Sequence, residues 1–453
     1  MKTFLAVSAA VLLCCLAAAS AHGQGDFALV WLEAQQADLG AMVGRYGDPA
    51  LRGQPAEVKA VPKGLSDKVR YFAIPVGDRK ILAILDGSPP WKLHVDAGGT
   101  GDLSTAPPLL AKTAALTRGG GQTQAGWMFG PLSMAAGGPK GAAAKVRFRV
   151  YQGQENRLVM EPAGYMAGEV RLAGPSYRVR LLDANLDGRF DGVLDVSTMA
   201  ERLPPHDRIA IDLDQDGEFK GNEVLSLTKM IRVGDTYYGI RVAPDGSSVH
   251  LEKVQPKTGT LDVGCADATV EVMSDAGRQV LGGSSGKWPV PAGPYCLSTV
   301  QLLRTDASGV KWAMKAGPWH LLAPSKLAAF EVRPGQTFAP KVGPPLVAVV
   351  SARKYGSAPQ EPIHITFFFQ GAAGEEYRNP VLRDDRPLWP IFEILDEAGK
   401  VLHEGTFQQP LGPPCSARWR APDGFKGKYR VKVTADTGPF ELQKGPDPWF
   451  TVE

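Results

Sequence analysis

Apolar and polar residues alternate along much of this chain with a period of two, the spacing of half-buried β-strands. Tyr71, Ala73 and Pro75 alternate with their neighbours, Gly77-Asp78 makes a turn, and Ile81, Ala83 and Leu85 continue on a return strand. Lys145-Val-Arg-Phe-Arg-Val-Tyr151 alternates without a break. Two stretches depart from this rhythm. Residues 27–46 carry Leu29, Leu32, Leu39 and Val43 at helical spacing and predict one amphipathic helix, its apolar face interrupted by Gln36. Residues 117–144 are rich in Gly and Ala and predict a long loop, pinned near Trp127 and Phe129.

Composition narrows the picture. With 52 Gly and 37 Pro among 453 residues, the chain is punctuated too often for a helical bundle or coiled coil. The 50 basic residues against 47 acidic ones leave a formal charge of +3, and no basic run is longer than a few residues, which argues against a nucleic-acid binder. The expected class is mainly β and multidomain, because one core does not serve a chain of this length. Beyond residue 256 the turns share one design: Asp275-Ala-Gly277, Asp306-Ala-Ser-Gly309 and Asp396-Glu-Ala-Gly399 each place Asp at the start and Gly at the left-handed position. Trp288-Pro-Val-Pro-Ala-Gly293-Pro-Tyr295 resembles the entry strand of prealbumin-like sandwich domains of the carboxypeptidase regulatory-like family. After Val342-Gly-Pro-Pro345, residues 346–350, 364–369, 391–395 and 429–434 space out like strands of an immunoglobulin-like sandwich, with Trp389 and Trp419 as core aromatics. The expected organisation is a signal peptide (1–21), a β-rich domain with acidic loops (22–255), a prealbumin-like sandwich (256–342) and an immunoglobulin-like sandwich (346–453).

The first residues read as an export signal. Lys2 precedes a short apolar run, and Ala19-Ser20-Ala21 is a small-x-small cleavage site. No later stretch is long and apolar enough to span a bilayer as a helix. The mature protein is therefore expected to be extracytoplasmic: secreted, periplasmic or at the cell surface. That compartment permits a disulfide between Cys265 and Cys296. Three buried thiols, with Cys415 as the third, is the alternative.

The chemistry lies between 181 and 223. One stretch reads Asp183-Ala-Asn185-Leu-Asp187-Gly188-Arg189-Phe190-Asp191, and another Asp212-Leu-Asp214-Gln-Asp216-Gly217-Glu218 with Glu223 at the twelfth position. Both fit Asp-x-(Asp/Asn)-x-(Asp/Asn)-Gly. Ca²⁺ is a hard cation that takes about six to eight oxygens. Side chains at positions 1, 3 and 5, a backbone carbonyl at position 7 and a carboxylate at position 12 supply them, and Gly at position 6 permits the bend. The second loop has the full set: Asp212, Asp214, Asp216, the carbonyl of Glu218, and Glu223. The first offers Asp183, Asn185, Asp187, the carbonyl of Arg189, and Asp191 at position 9. Its twelfth residue is Leu194, so closure falls to Asp195, to Asp207 or to an acid of the second loop, with lower affinity or a different geometry.

The pattern resembles the calcium loops of EF-hand and dockerin proteins, but Tyr177-Arg-Val-Arg-Leu-Leu182 and Arg208-Ile-Ala-Ile211 enter the loops as strands. A helix pair that opens on binding is not expected. Leu93-His-Val-Asp96-Ala-Gly98-Gly-Thr100-Gly101-Asp102 follows the same rhythm without acids at positions 3 and 5, and reads as an eroded copy that binds no metal.

No His-Glu-x-x-His, phosphate loop or dinucleotide fingerprint occurs, and Gly282-Gly-Ser-Ser-Gly286 lacks the register of a nucleophile elbow. His206 reads as a surface or loop residue. The order of parts resembles that of uncharacterised secreted proteins of planctomycete-like bacteria. The expectation is a non-catalytic, calcium-binding protein that meets a protein or glycan at the cell surface. The alternative is a secreted hydrolase or carbohydrate-binding accessory protein.

Overall fold

A computed structural model describes the chain apart from residues 1–24, 35–44, 52, 77–78, 118–122, 136–142, 155, 200–205, 221–222, 318–326, 328, 355–361, 409–414, 423–426, 444–448 and 453. The signal segment, and Leu39 and Val43 of the expected helix, lie outside the described residues. The fold is nearly all β. Among the described residues the helical element is one short 3-10 turn, Val196–Thr198. None of the described helical segments is long and apolar enough to cross a membrane.

The chain divides into two compact units: residues 1–194 with 205–255, and residues 195–204 with 256–453. In the first, the two largest apolar clusters lie between sheets. Strands Val69–Val76, Arg79–Asp86 and Ala143–Tyr151 bury Phe72, Ile74, Leu85, Val146 and Phe148 in one of them. The period-two alternation of 145–151 holds: Val146, Phe148 and Val150 face that core. The polar face is buried too. Arg147 stands opposite Glu161, with Nε 2.6 Å from Oε1, and Arg149 Nη2 lies 2.9 Å from Oε2.

The other core of this unit is a sandwich. One sheet holds Gly25–Ala28, Ser248–Val254, Thr236–Val242 and Met230–Val233; the facing sheet holds Val224–Ser226, Arg208–Ile211, Ser176–Leu182, Gly164–Arg171 and Val30–Glu33. Val179, Leu181, Ile209 and Ile211 meet Ile231, Tyr238, Val249 and Leu251 between them.

The helix expected over 27–46 is absent from its described part. Gly25–Ala28 pairs with Ser248–Val254, and Val30–Glu33 pairs with Gly164–Arg171. Leu29 is buried at the crossing between the two sheets while Leu32 is 45% exposed, so the apolar spacing does not mark one buried face. Long-range strand pairing outweighs the weak local helical preference.

The loop expected over 117–144 is also overturned. Lys112–Thr117, the long strand Thr123–Ala135 and Ala143–Tyr151 form antiparallel neighbours. Glycine serves this sheet by closeness: a Cβ on Gly126 would stand 2.4 Å from Leu116 Cδ1 and 2.5 Å from the Val150 carbonyl oxygen. Gly130, at φ +105°, sits where the register shifts against Arg147, as in a bulge. Trp127 stacks on Trp91 with ring centroids 4.0 Å apart.

The second unit holds four sheets about one apolar cluster running from Leu261 to Phe440. Strand Lys311–Ala316 pairs with Val381–Arg383, so the pairing crosses the Pro-rich stretch near 345. The strands read at 346–350, 364–369, 391–395 and 429–434 are present as Leu346–Lys354, Ile363–Gln370, Ile391–Asp396 and Gly427–Thr434. Gly277, Gly309 and Gly399 take φ of +83°, +85° and +83°, the left-handed turn positions. Trp419 is buried and Trp389 packs against the same cluster. All three cysteines here are thiols: Cys265 half-buried, Cys296 and Cys415 buried. Burial pushes Cys296 up to about 11 and Cys415 up to about 12, the direction of unreactive thiols.

Candidate metal centre

The two acidic loops bracket one antiparallel strand pair. Leu182 stands opposite Arg208, and Val179 opposite Ile211. The first loop leaves Ser176–Leu182 at the end where the partner strand begins. The second leaves Arg208–Ile211 at the other end.

All three copies of the motif share one backbone. Position 4 takes a left-handed φ in each (Gly99 +69°, Leu186 +61°, Gln215 +59°), as does position 6 (Gly101 +80°, Gly188 +79°, Gly217 +92°). The position-1 carboxylate gathers the turn. Asp183 accepts from the N–H groups of Asp187 (3.1 Å) and Gly188 (2.9 Å). Asp96 accepts from Thr100 (3.0 Å) and Gly101 (2.6 Å), and Asp212 from Gly217 (3.2 Å). Positions 3 and 5 continue the ladder. Asn185 Oδ1 accepts from Asp187 N–H at 2.8 Å, and Asp187 from Arg189 N–H at 2.8 Å. In the second loop Asp214 accepts from Asp216 and Asp216 from Glu218. The upstream copy thus keeps the local fold, but Gly98 and Thr100 replace the acids.

In the second loop Asp212, Asp214 and Asp216 converge. Among the described residues they form the one group of three such side chains whose ligating atoms all lie within 4.8 Å of one another. Glu223, buried, folds back and accepts from Leu213 N–H (2.8 Å), Asp214 N–H (3.3 Å) and Lys220 N–H (2.9 Å). Glu218 is exposed and contributes to the turn through its backbone. The donor set is all oxygen, the chemistry a hard divalent cation takes.

Sequence reasoning missed the cations of this loop. Lys220 Nζ lies 2.7 Å from Asp214 Oδ2 and also bonds to Asp216. Arg178, entering from the neighbouring strand, places Nε 2.9 Å and Nη2 2.8 Å from Asp212 Oδ2. A Cβ on Gly217 would stand 2.6 Å from Arg178 Nη2, so glycine also leaves room for the guanidinium. Phe219 is clasped by Arg180, whose guanidinium carbon lies 4.4 Å from the ring centroids of both Phe219 and Tyr165. The Lys220 hydrogen bond holds the Asp216 carboxyl below its usual range. The ammonium is raised in turn by its bonds to Asp214 and Asp216.

The first loop has the opposite electrostatics. Asp183 and Asn185 are buried. Burial, then repulsion from Asp187, pushes the Asp183 carboxyl up to about 7. Its arginine, Arg189, is held by Asp191, with Nη2 2.6 Å and Nε 2.9 Å from the carboxylate. Asp191 therefore faces an internal cation rather than the loop centre. The acids of this loop do not converge to the spacing seen in the second.

The structure also separates the three candidates for its closing acid. Asp195 caps the turn after it, accepting from Ser197 N–H (3.0 Å) and its hydroxyl (2.6 Å). The second loop's acids sit at the far end of the strand pair. Asp207 is fully buried and accepts from Ala184 N–H (3.1 Å) and Gly192 N–H (2.7 Å), both within the first loop. Burial, then repulsion from Asp183, pushes it up to about 9. His206 is buried rather than at the surface, with Nε2 2.9 Å from the Ser226 hydroxyl.

A carbohydrate platform calls for exposed coplanar aromatics. Trp91 and Trp127 are half-buried and stacked face to face, which is packing. No family model matches the chain, and no curated protein matches it. Among solved structures the chain is weakly similar to the Bacillus anthracis TIE protein, at 10% identity over 86% of this chain and 72% of that one, with a TM-score of 0.12. A likeness at that level carries no argument, and any reading of function stands on the loops alone.

Proposed function

We propose that this chain is an exported, non-catalytic β protein that binds calcium and has a structural, adhesive or binding role at a cell surface. The observation that carries the reading is the convergence of Asp212, Asp214 and Asp216 within 4.8 Å, with buried Glu223 at the twelfth position. Lys220 and Arg178 hold these carboxylates in the ion-free chain, and a divalent cation takes their place within an all-oxygen donor set. The ligands come from loop and strand end together, so only the folded chain presents them. Binding then stabilises the fold by mass action, about 2.7 kcal/mol per site when free calcium is about a hundredfold above its dissociation constant.

The test is thermal melting of the full chain in millimolar calcium and in chelator. Calcium raises the melting temperature, and Asp212→Ala or Glu223→Ala removes the second loop's share of that rise. Superimposable wild-type melts in the two buffers would overturn the reading.

A further inference from the structure

In the second unit a cleft of about 710 Å³ opens between residues 329–341 and Ala372-Ala373, a volume within the usual range of ligand sites, about 300–1,000 Å³. Phe330 and Phe338, both half-buried, line it with rings stacked at a centroid distance of 4.4 Å. The Ala372-Ala373 wall is tied to the Pro-rich stretch at 342–345. Ala372 N–H donates to the Gly343 carbonyl (2.9 Å) and Ala373 N–H to the Glu375 carboxylate (3.1 Å). Glu375, fully buried, also accepts from Gly343 N–H and from the Tyr377 hydroxyl (3.1 Å). A Cβ on Gly371 would stand 1.9 Å from Glu375 Oε1, so glycine is what admits the carboxylate. The stretch is a clasped joint rather than a free hinge. The cleft beside it is formed before any ligand arrives, which lowers the cost of binding.

Three features choose the occupant. The first is an open strand edge. Thr337–Phe338 ends its sheet, paired in parallel with Thr258–Asp262 on one side only. Thr260 N–H donates to the Gln336 carbonyl (2.8 Å), so in this register the backbone of Phe338 faces that strand. The N–H and C=O of Thr337, which lines the cleft, face away from it. The second feature is the phenylalanine pair, an apolar seat. The third is charge: Arg333 is matched by Glu331 at 3.3 Å, whereas exposed Lys341 has no ion-pair partner among the described residues. Lys341 also takes a left-handed φ of +26°, which a lysine adopts only where its surroundings impose it.

We infer that this cleft takes an extended, acidic peptide segment of another protein, added as a strand along the edge at Thr337. An apolar side chain of that segment rests on Phe330 and Phe338, and a carboxylate meets Lys341. Open backbone donors and acceptors recognise a main chain, and the spare cation selects an acidic one. No residue of the acidic loops contributes, so the inference stands apart from the calcium reading.

The test is selection of hexapeptides from a random display library on the immobilised full chain. Enriched peptides combine an acidic residue with aromatic or branched apolar ones, and Lys341→Glu shifts the preference from acidic to basic peptides. For the most enriched acidic peptide, Thr337→Pro weakens binding about two- to tenfold, the worth of one backbone hydrogen bond. Proline removes only the N–H that faces the cleft; Gln336 and Phe338 make the ladder to Thr258–Asp262, so the melting temperature stays near that of the wild type. Because proline can disturb folding, hydrogen exchange on the wild type provides a second readout: the bound peptide slows exchange across 335–341. No enrichment, enrichment that Lys341→Glu leaves unchanged, or a bound peptide without protection at 335–341 would overturn the inference. So would binding of acidic oligosaccharides, in place of peptides, that Lys341→Glu abolishes.

Discussion

The two acidic loops are one local fold in opposite electrostatic states. Both take left-handed backbone at positions 4 and 6, and both hang on a buried first aspartate. The second is already neutralised from within, by Lys220 on Asp214 and Asp216 and by Arg178 on Asp212. Its acids at positions 3 and 5 are exposed. The first buries Asp183 and Asp207 together, and its arginine is taken by Asp191. A carboxylate out of water and facing its like is costly until something positive arrives. The comparison teaches that the fuller sequence motif is not the more demanding site. The loop with the missing acid has the greater electrostatic need for an ion.

The largest expected effect is on the calcium dependence itself. Stripping calcium from the wild type costs about 2.7 kcal/mol per site, measured from free calcium about a hundredfold above each dissociation constant. Scanning calorimetry in chelator against calcium reads this. A loss that Glu223→Gln alone removes in full would break the two-loop picture.

The next effect is on pH. The folded calcium-free chain holds protons on Asp183 and Asp207 that the unfolded chain releases near 3.8, because burial raises both groups, helped by repulsion from Asp187 on Asp183 and from Asp183 on Asp207. Where the folded state binds more protons, stability falls as pH rises. The penalty is absent below the unfolded pKa and grows as pH climbs from about 4 through 7 toward 9. Calcium displaces those protons, so affinity at the first loop rises over the same window. The second loop carries the opposite sign: Asp216 is lowered, so its contribution is lost as pH falls into the acid range. Melting in chelator from pH 5 to 9 should show a decline that Asp207→Asn flattens. A flat wild-type profile would remove the contrast between the loops.

A smaller effect sharpens the comparison from outside. Asp96 holds the upstream copy with hydrogen bonds from Thr100 and Gly101 and no acids beside it. Asp96→Ala should cost about 1–3 kcal/mol, the penalty of orphaned buried donors. That cost should be the same with and without calcium. A calcium-dependent cost would make the third loop a metal site after all.

The smallest effect concerns Lys220. Calcium must displace its ammonium from Asp214 and Asp216, so Lys220→Gln should tighten binding at the second loop severalfold and leave the first unchanged. Calorimetric titration of calcium chloride into the wild type and the variant reads the effect. Weaker binding would mean that the lysine assists the ion rather than competes with it.

The strands at 145–151, 364–369 and 429–434 were legible because alternation of β-branched and aromatic residues is itself the signal. The strand Thr123–Ala135 was not, since Gly126 earns its place by the approach of Leu116 and Val150, which no local pattern displays. Residues 27–46 misled because Leu29, Leu32, Leu39 and Val43 mimicked a helix, while the constraint on the described part, 25–33, was pairing with strands more than a hundred residues away. The second loop could be read entire, because all its acids are local. Asp207 was one of three options until the register set it opposite the first loop. Lys220 and Arg178 went unread because charge neutralisation depends on where long side chains settle.

The account's central claim is that the second loop is an oxygen cage for calcium. A crystal structure of the full chain grown in calcium tests it most directly. It should show an ion in that loop, about 2.3–2.6 Å from carboxylate oxygens, with Glu223 among its ligands and Lys220 swung away. Electron density with Lys220 still on Asp214 and Asp216, and no ion in the second loop in millimolar calcium, would contradict it.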